Sequence, residues 1–272
     1  MKTRIIAAVA LLPLLLIVVL ALPKIFTGIL FGAMASIGAY ELLSGTGYVK
    51  HPRLVSYAMI MAMLVALWSY FGMNYALGLL GVLVYTAALF AEMMASQMKM
   101  RFEKTVVCLV AGLLVPFLLC SLVRIHTMEG VGRHFIIIPF VMAFLSDTGA
   151  YFAGRAFGKH KLAPVISPKK TVEGVVGGVL GAILGMIIYV LVLQLAFGFQ
   201  VNYLYAAVYG LVGSLGAVFG DLCFSVIKRQ TGIKDYGNLI PGHGGILDRF
   251  DSMMIVGPLA ELLLILIPLA VK

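Results

Sequence analysis

Unbroken apolar runs of about 20 residues recur from one end of this chain to the other. A helix needs about that length to cross the hydrocarbon core of a bilayer. In lipid every backbone N–H and C=O must find its partner within the protein, so only helices and closed barrels can span. Barrel strands alternate apolar and polar residues over about ten positions, and these runs do not alternate. Of the 272 residues 62% are hydrophobic and 11% are charged, against about 25% charged in soluble domains. The chain therefore reads as an all-α, polytopic integral membrane protein.

Nine spans are expected, near residues 5–22, 25–43, 55–71, 75–92, 105–124, 134–153, 173–198, 203–225 and 251–270. Turn chemistry separates them, as at Leu22-Pro23-Lys24, Phe71-Gly72-Met73-Asn74 and Gly198-Phe199-Gln200. Lys2 and Arg4 ahead of the first run resemble the start of a signal peptide. No small-residue cleavage site follows, so that run reads as a first helix. Cys108, Cys120 and Cys223 sit singly in apolar runs and read as small buried hydrophobes, not as a metal or disulfide set.

With the N-terminus in the cytoplasm, the only Lys and Arg residues left on the far side are Lys24, Arg124, Arg133 and Lys272. The other 16 of the 20 fall on the cytoplasmic side, as the positive-inside rule requires. The net charge of +9 thus lies where anionic head groups and nucleotides are met. No nucleic-acid partner is expected. The cytoplasmic side of a plasma (inner) membrane is the expected setting.

All five aspartates, Asp147, Asp221, Asp235, Asp248 and Asp251, lie in the second half. A carboxylate inside an apolar span costs about 2.5–3.5 kcal/mol at mid-membrane, so it usually faces a cavity, pairs with a cation or does chemistry. Asp221, Ser225 and Lys228 are spaced to share one helix face, as are Asp248 and Asp251. Several carboxylates near one edge point to a hard divalent cation such as Mg²⁺. Plainer roles stay open: an N-cap for Asp248, an ion pair with Lys228 for Asp221, and a helix-packing hydrogen bond for Asp147. The chain is accordingly divided into residues 1–130, a helical scaffold, and residues 131–272, which carry the site.

Two polar loops stand out. Residues 154–178 hold five basic side chains and end at a helix start, a natural anion site. Thr171 is the expected N-cap. Glu173 follows two residues later instead of three, so no capping box forms. Gly154, Gly158 and Lys159 do not make a phosphate-binding loop, because His160 stands where Ser or Thr is required. Residues 225–251 pack Lys, Arg and Asp around Gly242-His243-Gly244-Gly245, whose glycines let backbone approach a ligand closely.

This second loop resembles the signature of the phosphatidate cytidylyltransferase (CDP-diacylglycerol synthase) family, bacterial type. The matching positions are Ser225, Ile227, Lys228, Arg229, Lys234, Asp235, Gly237, Ile240, Pro241, His243, Gly244, Gly245, Ile246, Asp248, Arg249, Phe250 and Asp251. Residues 146–155 and 167–174 also resemble family segments. The resemblance implies synthesis of CDP-diacylglycerol and pyrophosphate from CTP and phosphatidate, with Mg²⁺ and a second cation such as K⁺. Carried over, it makes Asp221, Asp248, Lys228, Arg249 and His243 catalytic, with Asp221 and Asp248 on the metal. Lys169, Lys170, Arg229, Lys234, Gly244, Gly245, Asp147 and Asp251 would serve the substrates.

The rival readings are a CTP-dependent lipid kinase of related fold and an ion-coupled transporter. A CDP-alcohol phosphotransferase would need aspartates four apart, and none are. A stripe of small residues, Gly28, Gly32 and Ser36, forms a helix-packing face, either internal or between the two copies of a homodimer.

Overall fold

A computed structural model describes residues 13–97, 99–240, 242 and 244–271. Residues 13–20 form α1. The long helices follow as α2 (Lys24–Gly45), α3 (Pro52–Tyr70), α4 (Tyr75–Ala95), α5 (Phe102–Thr127), α6 (Gly132–Phe157), α7 (Val172–Phe197) and α8 (Tyr203–Gln230). These seven, among the described residues, are long and apolar enough to cross a membrane. Two short helices close the chain, α9 (Leu247–Phe250) and α10 (Met253–Leu266).

The protein is thus an all-α polytopic membrane protein, with two differences from the nine expected spans. Residues 5–12 of the first span lie outside the described residues. The last, expected over 251–270, is a helix of only 14 residues, about 21 Å at 1.5 Å per residue. Pro268 ends it, because the residue before a proline disfavours helix. The chain then pairs Ala270–Val271 (β4) with Gln200–Val201 (β3).

Local chemistry sets the helix ends. Asn74 caps α4 by accepting the Leu77 N–H at 3.1 Å, and Thr171 caps α7 by accepting the Gly174 N–H at 3.1 Å. Gly198, at φ 71°, closes α7 in the left-handed conformation. The expected continuous span 105–124 is interrupted. A π-helical stretch, Val110–Leu114, precedes Pro116, which cannot donate a helix hydrogen bond.

The chain splits into two compact units, each made of two stretches separate in sequence. One comprises residues up to Thr127 together with Gln230–Phe250; the other comprises Met128–Arg229 and Asp251–Lys272. Residues 230–250 therefore belong to the same compact unit as the N-terminal helices.

In the first unit the small stripe of α2 faces α3. Gly28 lies against Tyr70 and Gly32 against Ala66, and the Ser36 hydroxyl donates to Met59 O at 2.8 Å. Of the two uses open to this stripe, internal packing is the one adopted.

In the second unit α6 and α7 meet through glycines. A Cβ on Gly181 would lie 2.7 Å from Leu145 O, so only glycine permits this approach. The opposite face of α7 turns Leu180, Leu184, Ile188, Leu191 and Leu195 outward, as a lipid-facing helix does. Gly210, Gly213, Gly216 and Gly220 bring α8 against α7, α6, α10 and the turn before α10. Between α6 and α8 the hydroxyls of Ser146 and Ser214 bond at 2.7 Å.

Candidate active site

In the second unit the ends of several elements bring charge together. Lys161–Ala163 (β1) and Ser167–Thr171 (β2) form an antiparallel hairpin ahead of α7. Glu173, in the first turn of α7, accepts the Lys159 N–H at 3.1 Å and the His160 N–H at 3.2 Å. It also pairs with His160 Nδ1 at 2.6 Å. Its carboxylate thus fastens the base of the hairpin to α7.

From this hairpin Lys170 Nζ reaches Asp221 Oδ2 on α8 at 2.7 Å and Val218 O at 3.4 Å. The other carboxylate oxygen, Asp221 Oδ1, accepts from the Ser225 hydroxyl at 3.0 Å, one turn along α8. Arg229 Nε donates to Ile166 O at 3.2 Å, clasping the hairpin turn to the same helix.

Asp147 on α6 lies in electrostatic range of both Asp221 and Lys170. Asp251, in the turn before α10, faces Asp221, Lys228 and Asp147. Burial pushes the Asp251 carboxyl up to about 7, and the charge of Asp221 adds to the effect. Three carboxylates thus converge with Lys170 and the buried Lys228. The ion pair weighed for Asp221 is realised with Lys170, from a different element. Lys169 is exposed on the hairpin.

Among the described residues no three His, Cys, Asp or Glu side chains close into a ready-made metal cage. Mg²⁺ keeps several waters and is usually held by one or two carboxylates plus substrate phosphates. The donor set is all oxygen, and the unit carries more carboxylate than lysine at this point. A hard cation fits it.

The glycine loop belongs to the first unit. Asp248 is buried, and its Oδ2 accepts the Tyr236 N–H at 2.7 Å and the Gly245 N–H at 2.9 Å. Ile240 N–H donates to Gly244 O at 2.9 Å, closing a tight turn. Gly242 and Gly244 adopt φ 75° and 88° there, which glycine tolerates. Lys234 and Arg249 are exposed, and Gly245 is buried. His243 and Pro241 lie outside the described residues.

One residue escaped the sequence reading. Glu41, at the π-helical end of α2, is buried. Its two oxygens accept the N–H groups of Ile246 and Leu247, each at 2.9 Å. The signal was a lone carboxylate in an apolar run, but nothing local names a partner so far along the chain.

A profile of the cytidylyltransferase family matches residues 2–267. The chain belongs to this family. Relatives named phosphatidate cytidylyltransferase include one from Staphylococcus saprophyticus, 36% identical over 170 residues, which is 62% of this chain and 63% of the relative. One from Staphylococcus epidermidis is 35% identical over 185 residues, 68% of each chain. One from Staphylococcus aureus is 44% identical over 134 residues, 49% of this chain and 50% of the relative. The chain thus aligns with between half and about two thirds of the length of these relatives. In this member of the family the signature positions fall in both units: Ser225, Lys228 and Arg229 in one, and Gly237 to Arg249 in the other.

Proposed function

We propose that this membrane cytidylyltransferase joins CTP to phosphatidate, releasing pyrophosphate and CDP-diacylglycerol, at the cytoplasmic face of a bacterial plasma membrane. The observation that carries the reading is the cluster of Asp147, Asp221 and Asp251 with Lys170 and Lys228 in the second unit. Bringing two polyanions together is the central difficulty of this reaction, and carboxylates able to hold a cation beside two lysines address it.

An oxygen of the lipid phosphate attacks the α-phosphorus of CTP. The bond from that phosphorus to the oxygen bridging it to the β-phosphorus breaks, and pyrophosphate leaves with the bonding electrons. The attacking phosphate is already a nucleophile, so no protein nucleophile is required. Positioning and charge stabilisation supply most of the rate. Mg²⁺, where bound, would supply positive charge to screen the phosphates and the leaving group. Asp221 would hold it; for Asp248 the same role is carried by the signature. A second, monovalent cation belongs to the proposal on the resemblance alone.

Lys169, Lys170, Lys228, Arg229, Lys234 and Arg249 are assigned to phosphates. Gly244 and Gly245, with His243, are assigned to the nucleotide. Asp147 and Asp251 set the charge around Asp221 and orient Lys170 and Lys228.

The test is incubation of detergent-purified protein with phosphatidate, labelled CTP and Mg²⁺. CDP-diacylglycerol and pyrophosphate should appear together. Asp221→Asn should nearly abolish both while the protein stays in the membrane. Release of CDP with a phosphorylated lipid would instead make the chain a CTP-dependent lipid kinase. No turnover with Mg²⁺ or Mn²⁺ would overturn the reading.

A further inference from the structure

Three consecutive backbone N–H groups, those of Gly245, Ile246 and Leu247, point at buried carboxylates. Gly245 donates to Asp248, and Ile246 and Leu247 donate to the two oxygens of Glu41. These amides open α9, where the first N–H groups have no partner inside the helix. Glu41 stands where α2 passes into its π-helical turn, Glu41–Gly45, a local widening often found at functional positions.

The surroundings are built around this carboxylate. A Cβ on Gly237 would lie 2.8 Å from Glu41 Oε1, and one on Gly245 would overlap both oxygens. Leu247 packs on Gly38 of α2, and the rings of Phe31 and Phe250 meet edge to face at 6.3 Å. Two glycines of the signature stretch are thereby explained by a residue far outside it.

We infer that Glu41 is a positioning residue for the proposed reaction: its carboxylate fixes the backbone of residues 245–247, and with it the orientation of Asp248 and Arg249. This rests on the cytidylyltransferase reading above. A carboxylate suits the task because it accepts at both oxygens. Glutamine of the same size would turn an NH₂ donor toward one of two N–H donors.

The experiment compares wild type, Glu41→Gln and Glu41→Asp as full-length proteins in detergent. Kinetic constants are expressed per folded molecule, counted by size-exclusion chromatography, and amide hydrogen exchange is followed in the same samples. Glu41→Gln should lower kcat/KM for CTP by about 10–100-fold, the loss typical when a supporting hydrogen bond behind a ligand is removed. Exchange should quicken in residues 236–250 and not in α6 to α8. Glu41→Asp, which keeps the charge on a shorter arm, should fall between the two and serves as the folded variant if Glu41→Gln does not fold.

Wild-type constants in either folded variant, with only a lower unfolding temperature, would reduce Glu41 to a structural residue and overturn the inference. Unchanged exchange in 236–250 would do the same. A wild-type protein that makes no product would sink the assigned reaction instead, and the exchange result would still judge the clamp.

Discussion

Removing Lys170 should cost more stability than neutralising its partner. Lys170 Nζ and Asp221 Oδ2 are 2.7 Å apart, with side chains 23% and 30% exposed. At an effective dielectric of about 20 the gross attraction at that distance is about 6 kcal/mol. Desolvation and side-chain ordering offset most of it. Exposed pairs are worth about 0–1 kcal/mol, and truncating one partner of a fully buried pair costs about 3–5. This pair sits between, so Lys170→Ala should destabilise by about 1–3 kcal/mol, or roughly 2–10 °C for a chain of this size.

The two truncations are not equivalent. Lys170→Ala leaves Asp147, Asp221 and Asp251 facing one another with Lys228 as the remaining lysine among them. Asp221→Asn removes a charge that repels both other carboxylates, and in metal-free protein it should cost less than half as much as Lys170→Ala. A double-mutant cycle on thermal unfolding in detergent with EDTA should give a coupling of about 1–2 kcal/mol. Adding Mg²⁺ should raise the unfolding temperature of the wild type and not of Asp221→Asn. Additivity within about 0.5 kcal/mol, or equal losses from the two single changes, would refute this account of the cluster.

Asp251 gives a pH dependence. Its folded value, about 7, lies above the ordinary 3.8, so the folded state holds a proton that the unfolded state has released. Metal-free protein should therefore lose stability as pH rises from about 4 to about 7 and level off above that; Asp251→Asn should flatten the slope, measured by unfolding at pH 5, 6 and 8. Gly181→Val places a side chain against Leu145 O and should cost about 1–3 kcal/mol, whereas Leu184→Val on the outward face should be near neutral; yield and unfolding temperature in detergent read both. Glu173→Ala frees the Lys159 and His160 N–H groups, and limited proteolysis should cut residues 158–171 faster with the helices intact.

Much of this protein was legible locally. Continuous apolar runs predict spanning helices because lipid leaves the backbone no other way to satisfy its hydrogen bonds. Thr171 capped α7 as expected, since a cap depends only on residues within one turn. The short last helix was overestimated because hydropathy runs on through Ile267-Pro268, where the backbone cannot.

The charged site was legible as a set of residues and not as an arrangement. The spacing of Asp221, Ser225 and Lys228 foretold a shared helix face, and the Ser225 bond to Asp221 is one consequence. It could not foretell that the lysine at 2.7 Å would be Lys170, because that contact depends on how the β1–β2 hairpin folds back onto α8. The stripe of Gly28, Gly32 and Ser36 announced a close packing face without naming the helix to fill it.

By itself, then, the sequence determined the solvent and the helical class, which follow from period and composition, while the chemistry of the signature was implied by its resemblance to a known family. Tertiary structure alone decided that residues 230–250 pack with the N-terminal helices and that Glu41 on α2 holds the amides of Ile246 and Leu247. Pairings across such distances along the chain are selected by packing and by the need to satisfy buried polar groups. No local pattern encodes them.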